Sequence, residues 1–443
     1  MNNEPALRKS DSKPRRNLDE RLAKRPAMLE RLHQIVDTLE HSVGEGCDAH
    51  VTEERVIEEM RKLGKETLSQ WAYEANEQTQ AQVPTTHPEA NKNGKKKLLT
   101  WQTTFGWICV DEVQWRLGRR GQLLRPFCER AGIEPRGSSR RLQRVLVDFG
   151  AEESFVAATK RVQEHYGLDV AAGRVRRHSL EHGALLSAVK IPPPKESVST
   201  MVAQLDGSFI PIVETSSEGP DRRKGKQLCW RDVRLCMARE KESVTPLYGA
   251  TLGSVGIAGA LWRDVAESAG LGADTKVHGV GDGAEWITTQ FKEQFGEQGK
   301  YLVDFWHVSD YLAAAATVIQ PEKAKEWRHR QQGRLLENNS SAVICSMTAH
   351  LEPEGQKEAP VRDAHRYLSN RLDQLDYAGA RAKKLPIGSG EIESSHRHVI
   401  QQRLKLAGSW WKETNAEAML GLRVARSNNL WDSYWKDLAI AKN

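Results

Sequence analysis

The chain has 443 residues, 39% of them hydrophobic and 13 of them tryptophan, which is enough for a sizeable core and too long for one ordinary domain. Charged residues make up 28% with a net charge of only +6, so the bulk charge says less about a polyanionic partner than its distribution does. No stretch approaches the roughly 20 apolar residues that cross a bilayer, residues 1–27 are charged and polar, and six cysteines lack a repeating spacing, which excludes a disulfide framework and predicts a soluble cytoplasmic chain with free thiols.

Residues 1–17 are basic and rich in Pro, Ser and Asn, so disorder is expected there. Residues 18–80 carry apolar residues at helical spacing (Met28, Leu32, Ile35, Leu39, then Val56, Met60, Leu63). A polar linker is predicted over 81–97, giving a helical N-terminal region of residues 1–100. Cys47-x-x-His50 lacks a second pair at finger-like spacing and reads as incidental. Residues 101–195 are expected to form a second, helical, DNA-binding domain. Segment 116–144 holds nine arginines, among them Arg119, Arg120, Arg140, Arg141 and Arg144, against Glu129 and Glu134, a local net of +7. A helix pattern at Phe155, Ala158 and Val162 ends near Gly167. A second, over roughly 171–182, carries Arg174, Arg176, Arg177, His178 and His182. Two helices around a short turn, the second one basic, suit either a helix-turn-helix or a plain helical hairpin with a solvated face. Pro192–Pro194 form a stiff boundary.

From about 198 the pattern turns to strands. Met201–Leu205 ends at Asp206-Gly207 and Phe209–Val213 follows, which predicts a hairpin. Strand-like runs recur at 228–238 and 244–251. A helix is expected over 257–269, a strand over Lys276–Gly281 ending at Asp282-Gly283, then a helix over 284–295. Lys300–Val303 is another strand, ending at Asp304 ahead of a helix to about Ile319. Three antiparallel-capable strands followed by alternating helix and strand fit a mixed α/β sheet with helices on its faces. Residues 321–385 are polar and helical and read as an insertion. A helix carrying Glu393, His396 and Arg403 follows Gly388-Ser389-Gly390, and a last helix near 414–428 precedes Trp431, Tyr434 and Trp435.

Asp206 and Asp282 stand at strand ends and Glu393 in the first turn of a late helix, 76 and 111 residues apart. In open α/β sheets, functional side chains converge at such ends. Asp-Gly is also a common turn dipeptide, so each aspartate alone suits a turn. A carboxylate cluster needs a cation, and hard oxygen ligands that leave room for water select Mg²⁺ or Mn²⁺. Two such ions bridged by a shared carboxylate are suited to attack on a phosphodiester.

The segments "LDGSFIPI", "GDGAEWI", "DFWHVSDYL" and "PIGSGEIESSHRHVIQQRLK", with "DFGAEESFVAATKRVQEHYG" and the tail from Gly408 to Trp435, resemble the DDE transposases of bacterial insertion sequences. The likeness is to the Kra-type group, related to Mutator-like elements, and covers roughly residues 101–435. It implies a ribonuclease H-like catalytic domain over 196–435 interrupted by the helical insertion. It implies Asp206, Asp282 and Glu393 as the metal-binding triad, with Glu391 as a rival for the last place. Asp304-x-x-His307 resembles a motif of these enzymes, which makes His307 a catalytic candidate; a helix cap with a packed histidine is the other reading. The partners implied are double-stranded DNA, the element's terminal inverted repeats and target DNA, handled by a homodimer or larger assembly at the bacterial nucleoid. Arg403 and Lys405, with Lys412, Arg423 and Arg426, are DNA-contact candidates beyond Glu393. Trp410 and Trp411 suit either base stacking or the core. Two other readings stand beside this one, a silent DNA-binding descendant of a transposase and a ribonuclease H-type structure-specific nuclease.

Overall fold

The computed structural model describes residues 17–94, 96–118, 121–215 and 225–440, and the chain divides into two compact units. The first comprises residues up to 149 together with 156–172; the second comprises 150–155 and 173 onward.

The first unit opens with α1 (Leu18–Leu22), α2 (Pro26–Gly44) and α3 (Ala49–Thr86). Asp48 caps α3 by accepting the Val51 N–H at 2.9 Å. Then come β1 (Ala90–Lys92), β2 (Lys97–Thr103), β3 (Gly106–Glu112), β4 (Trp115–Leu117), β5 (Leu123–Leu124) and α4 (Pro126–Ala131). These strands correct the expectation of a helical domain beginning at 101. Ile108, Val110 and Glu112 alternate inward with exposed neighbours, a period of two rather than 3.6. Leu99 and Trp101 of β2 share one core with Ala72 of α3 and Phe127 of α4, so a boundary at residue 100 would cut through that core. Nor is 81–97 a linker: α3 runs on to Thr86 and β1 pairs antiparallel with β4. The carboxylate of Glu112, fully buried, meets Arg125 at 2.7 Å and the Cys128 N–H at 3.0 Å, so one of the nine arginines serves the fold.

Next come α5 (Arg140–Glu152), α6 (Phe155–Tyr166) and α7 (Ala172–Ser187). Nearly all of α6 belongs to the first unit and nearly all of α7 to the second. Buried on α7 are Val175, His178, Ser179, His182, Gly183 and Leu186, one face at helical spacing. His178 and His182, read in the sequence as part of a basic surface, therefore point into the fold.

The second unit is built on five strands: β6 (Thr200–Thr215), β7 (Lys226–Glu240), β8 (Leu247–Thr251), β9 (Lys276–Gly281) and β10 (Gly299–Val303), in the order β10-β9-β6-β7-β8. The run β6-β7-β8 is antiparallel, while β9 and β10 lie parallel to β6. Helices α8 (Val255–Ser268) and α9 (Glu285–Phe295) bury Trp262, Phe291 and Phe295 against Met201, Ala203, Leu205 and Val277, closing one face. The other face of β9 and β10 receives α10 (Phe305–Ile319), α11 (Ala324–Leu336), α12 (Ser340–Thr348), α13 (Pro360–Ser369) and α14 (Tyr377–Ala382), whose core includes Val280, Leu302, Leu312, Trp327 and Leu368. Residues 321–385 are thus helical, as the sequence predicts. The chain closes with α15 (Gly390–Ser395), a π-helical stretch His396–Gln401, α16 (Gln402–Leu404), α17 (Glu413–Ser427) and α18 (Trp431–Ile440). The unit is a mixed α/β fold.

Candidate metal centre

Because side chains alternate along a strand, Met201, Ala203 and Leu205 go to the α8–α9 face, and Gln204 and Asp206 to the opposite one. The β6–β9 register pairs Thr200 with Lys276 and Ala203 with Gly279. Carried on, it sets Asp206 beside Asp282, and the Leu205 carbonyl lies 3.7 Å from where a Cβ on Gly281 would stand. The β9–β10 register pairs Val303 with Gly281 and carries on to set Asp304 beside Asp282. Asp206, in the middle of β6 a few residues past its last pair with β9, and Asp282 and Asp304, each just beyond the end of its strand, therefore stand on three neighbouring parallel strands, roughly 4.8 Å apart. The Tyr301 hydroxyl is held well above the usual phenol range, chiefly by burial and then by the charge of Asp282, with Asp206 adding to it.

The helix carrying the two candidate glutamates is pinned to the same face. Gln204 accepts the Ile392 N–H at 3.0 Å, and His396 Nε2 lies 3.2 Å from Asp206 Oδ2. Glu391 is engaged elsewhere: its two oxygens accept from Arg239 Nε at 2.9 and 3.1 Å. Glu393, exposed and one turn before His396, accepts from Ser389 Oγ at 2.9 Å. Ser389 Oγ also lies 2.5 Å from Asp304 Oδ2, which links Glu393 to the strand ends. Glu393 rather than Glu391 is the acid joined to this network.

Asp304 caps α10, accepting from the N–H groups of Trp306 at 2.5 Å and His307 at 3.1 Å. The His307 ring packs edge-on against the stacked pair Tyr311 and Tyr367, with centroids 5.4 and 5.7 Å away. The cap-and-packing reading of Asp304-x-x-His307 thus describes both residues. Tyr367 in turn donates its hydroxyl to the Asp282 carbonyl, and Arg371 donates to the Gly283 carbonyl at 2.9 and 3.1 Å. The insertion thereby fixes the loop behind Asp282.

Among the described residues, no three His, Cys, Asp or Glu side chains are gathered closely enough to hold one ion. Each of the three acids has a local hydrogen bond. Asp206 Oδ1 accepts from Gly207 N–H at 2.7 Å, Asp282 Oδ1 from Ala284 N–H at 2.8 Å, and Glu393 from Ser389. The donor set still fits a hard divalent cation, since it is all carboxylate oxygen on partly open side chains. Two polar groups beside it, Gln204 Nε2 and both ring nitrogens of His396, are buried without a hydrogen-bond partner.

The basic residues divide. Arg141, Arg176 and Arg177 are exposed; Arg140, Arg144 and Arg174 are half-buried, and burial followed by the charge of Arg177 lowers the Arg174 pKa. Arg119 and Arg120 lie outside the described residues. Arg403 is corrected from a DNA contact to a core group: it is 1% exposed, donates to the Gly150 carbonyl at 2.9 Å and lies over the Phe155 and Trp411 rings. Burial and the neighbouring Arg423 push it down to about 10. Arg423 is buried as well and Trp411 is in the core, whereas Trp410 is exposed. Lys405 donates to Ser208 at 2.8 Å, two residues beyond Asp206 on the same face of β6. Sequence reasoning missed Gln204, Ser389 and His396 as partners of the acids. Ser389 sits inside the quoted Gly-Ser-Gly, and the i, i+3 spacing of Glu393 and His396 was available as a signal.

No family model matches the chain. A curated relative, the "UPF0236 protein in vanSb 3'region" of Streptococcus gallolyticus, is 22% identical over 357 residues, 77% of this chain and 76% of that protein. This likeness spans most of both chains, and its printed name states no activity.

Proposed function

We propose that the chain is a DNA transposase of the DDE kind, with a ribonuclease H-like core in which Asp206, Asp282 and Glu393 hold Mg²⁺ or Mn²⁺. The observation that carries this reading is the shared face: the β6–β9 register sets Asp206, within β6, beside Asp282 at the end of β9, and the Glu393 helix is tied to β6 by Gln204 and to Asp304 by Ser389. The strand order β10-β9-β6-β7-β8, three antiparallel strands and then two parallel ones, supports the same core. When bound, the divalent ions supply charge neutralisation and an acidified water or 3′-hydroxyl for in-line displacement at phosphorus.

The protein's part is positioning. Asp206 presents its carboxylate from within a paired strand and Asp282 from the end of one, so little reorganisation accompanies the reaction. Tyr367 and Arg371 hold the Asp282–Gly283 backbone in place. Lys405, which donates to Ser208 two residues beyond Asp206, is the candidate contact for a DNA phosphate beside the acids. Exposed Arg141, Arg176 and Arg177 would neutralise further phosphates.

The test is nicking and strand transfer by the purified protein on its own element's terminal repeats with Mg²⁺ or Mn²⁺. Asp282→Ala is expected to lower the rate by about 10³-fold or more while end binding persists. Cleavage at the wild-type rate by that variant rejects the site; end binding without any cleavage by the wild type favours a silent descendant.

A further inference from the structure

His396 is 3% exposed, and neither ring nitrogen has a hydrogen-bond partner among the described residues. A buried polar group in that condition asks for a reason. Its Nε2 stands 3.2 Å from Asp206 Oδ2, within ion-pair range but out of line for a hydrogen bond. The other oxygen of Asp206 already accepts from the Gly207 N–H at 2.7 Å. His396 also opens the π-helical stretch, where one turn is widened by a residue. The Gln402 N–H bonds back to the Arg397 carbonyl as a result. Such turns recur at functional sites because they re-aim side chains without ending a helix. Ile392, Ser395, His396, Val399, Ile400, Arg403 and Leu404 are all buried, so one inward stripe continues across the widened turn.

We infer that His396 is a positioning residue that orients the Asp206 carboxylate toward the divalent ion. The inference rests on the proposed metal-dependent reading of the site. In the loaded state a small turn of the Asp206 carboxyl group brings Oδ2 into line with the imidazole N–H, and the contact tightens, as catalytic contacts commonly do. Gly207 and His396 would then hold one Asp206 oxygen each, and the carboxylate would be fixed for the ion. Metal-ligating carboxylates are supported this way in general, and losing the supporting donor typically weakens metal binding 10- to 100-fold. The imidazole acts through Asp206 and touches no substrate.

The experiment is Mn²⁺ binding to the full chain, followed by the loss of the free-ion electron paramagnetic resonance signal, beside nicking assays over a range of Mn²⁺. His396→Ala is expected to weaken Mn²⁺ binding by about 10- to 100-fold and to raise the concentration for half-maximal nicking by the same factor. His396→Gln, whose amide N–H can occupy the Nε2 position, is expected to restore binding to within a few-fold of wild type. Should the alanine variant fail to fold, His396→Gln against His396→Asn decides, because asparagine stops a bond short of Asp206. Wild-type Mn²⁺ affinity in the alanine variant, or equal losses in the folded glutamine and asparagine variants, overturns the inference. A wild-type protein that neither binds Mn²⁺ nor nicks DNA overturns the functional reading and this inference together. One that does both, indifferent to position 396, overturns this inference alone.

Discussion

His182 shows how one residue type can mislead in a sequence and inform in a structure. Its place in a run of arginines and histidines suggests a solvated basic face, yet it is buried against Trp435 at 4.6 Å and bonded to the Tyr434 hydroxyl at 2.7 Å. Burial pushes its pKa down to about 4, from 6.5. The folded state therefore holds the ring neutral while the unfolded chain takes up a proton below about 6.5. The unfolded state binds more protons in that window, so the stabilisation is complete above pH 6.5 and is lost as pH falls towards 4. The shift corresponds to roughly 3 kcal/mol. Melting curves between pH 7 and 4 are expected to show a steep loss that His182→Gln flattens. A wild-type midpoint that stays level from pH 6.5 to 4.5 would contradict this assignment.

At the scale of elements, the crossing of α7 and α17 depends on glycine. A Cβ at Gly183 would stand 2.1 Å from the Ala418 carbonyl oxygen, and one at Gly421 would stand 2.8 Å from the Gly183 carbonyl oxygen. Backbone cannot give way as a flexible side chain can, so Gly183→Ala is expected to cost at least about 2 kcal/mol in denaturant unfolding. Gly173, in the first turn of the same helix, has nothing within 4 Å, and Gly173→Ala should be neutral or stabilising by up to about 1 kcal/mol. Equal effects at the two positions would show that the close approach is not what matters.

The same scale explains what could be read beforehand. The alternation of helix and strand from residue 257 was legible, and so was Lys276–Gly281 as a strand that stops at Asp282-Gly283, but the hairpin expected around Asp206-Gly207 is not formed: Met201–Leu205 and Phe209–Val213 belong to one strand, β6, because β7 pairs with it straight through Asp206 and Gly207. Asp282 stands where that reading put it, just past the end of β9, whereas Asp206 lies in mid-strand and not at a turn. The hairpin of β2 and β3 was not legible, since its inward alternation passes through a buried glutamate whose partner, Arg125, looks like one more surface arginine. Arg403 was misread because composition cannot tell a phosphate contact from a cation packed between Phe155 and Trp411. The choice of Glu393 over Glu391 rested on resemblance in the sequence and rests on the Ser389 and Arg239 contacts in the fold.

For the whole molecule, the decisive feature is that the sheet-bearing unit is not one continuous stretch. The chain contributes residues 150–155 to it, leaves for 156–172, and returns with α7. Those few residues hold buried cations. Arg403 donates to the Gly150 carbonyl, while Arg423 meets the Ala151 carbonyl at 3.3 Å and the Glu152 carboxylate at 2.5 Å. A fragment beginning at 196, the cut suggested by the triple proline, strands Arg403, takes the Glu152 carboxylate from Arg423 and removes α7 from α17. Leaving one buried charge without its partner costs about 3–5 kcal/mol, against about 5–15 kcal/mol for a typical domain. Residues 196–443 alone are therefore expected to be insoluble or molten, lacking a cooperative melt and a near-ultraviolet tryptophan signal. A fragment from 150 onward keeps the acceptors and should melt cooperatively. Deleting the N-terminal region at 195 would thus abolish nicking by unfolding the sheet, whatever that region does on DNA, and only the cut at 150 can separate the two effects. A cooperative transition in the 196–443 fragment would show that Arg403 finds another acceptor, and that this unit is more autonomous than its contacts imply.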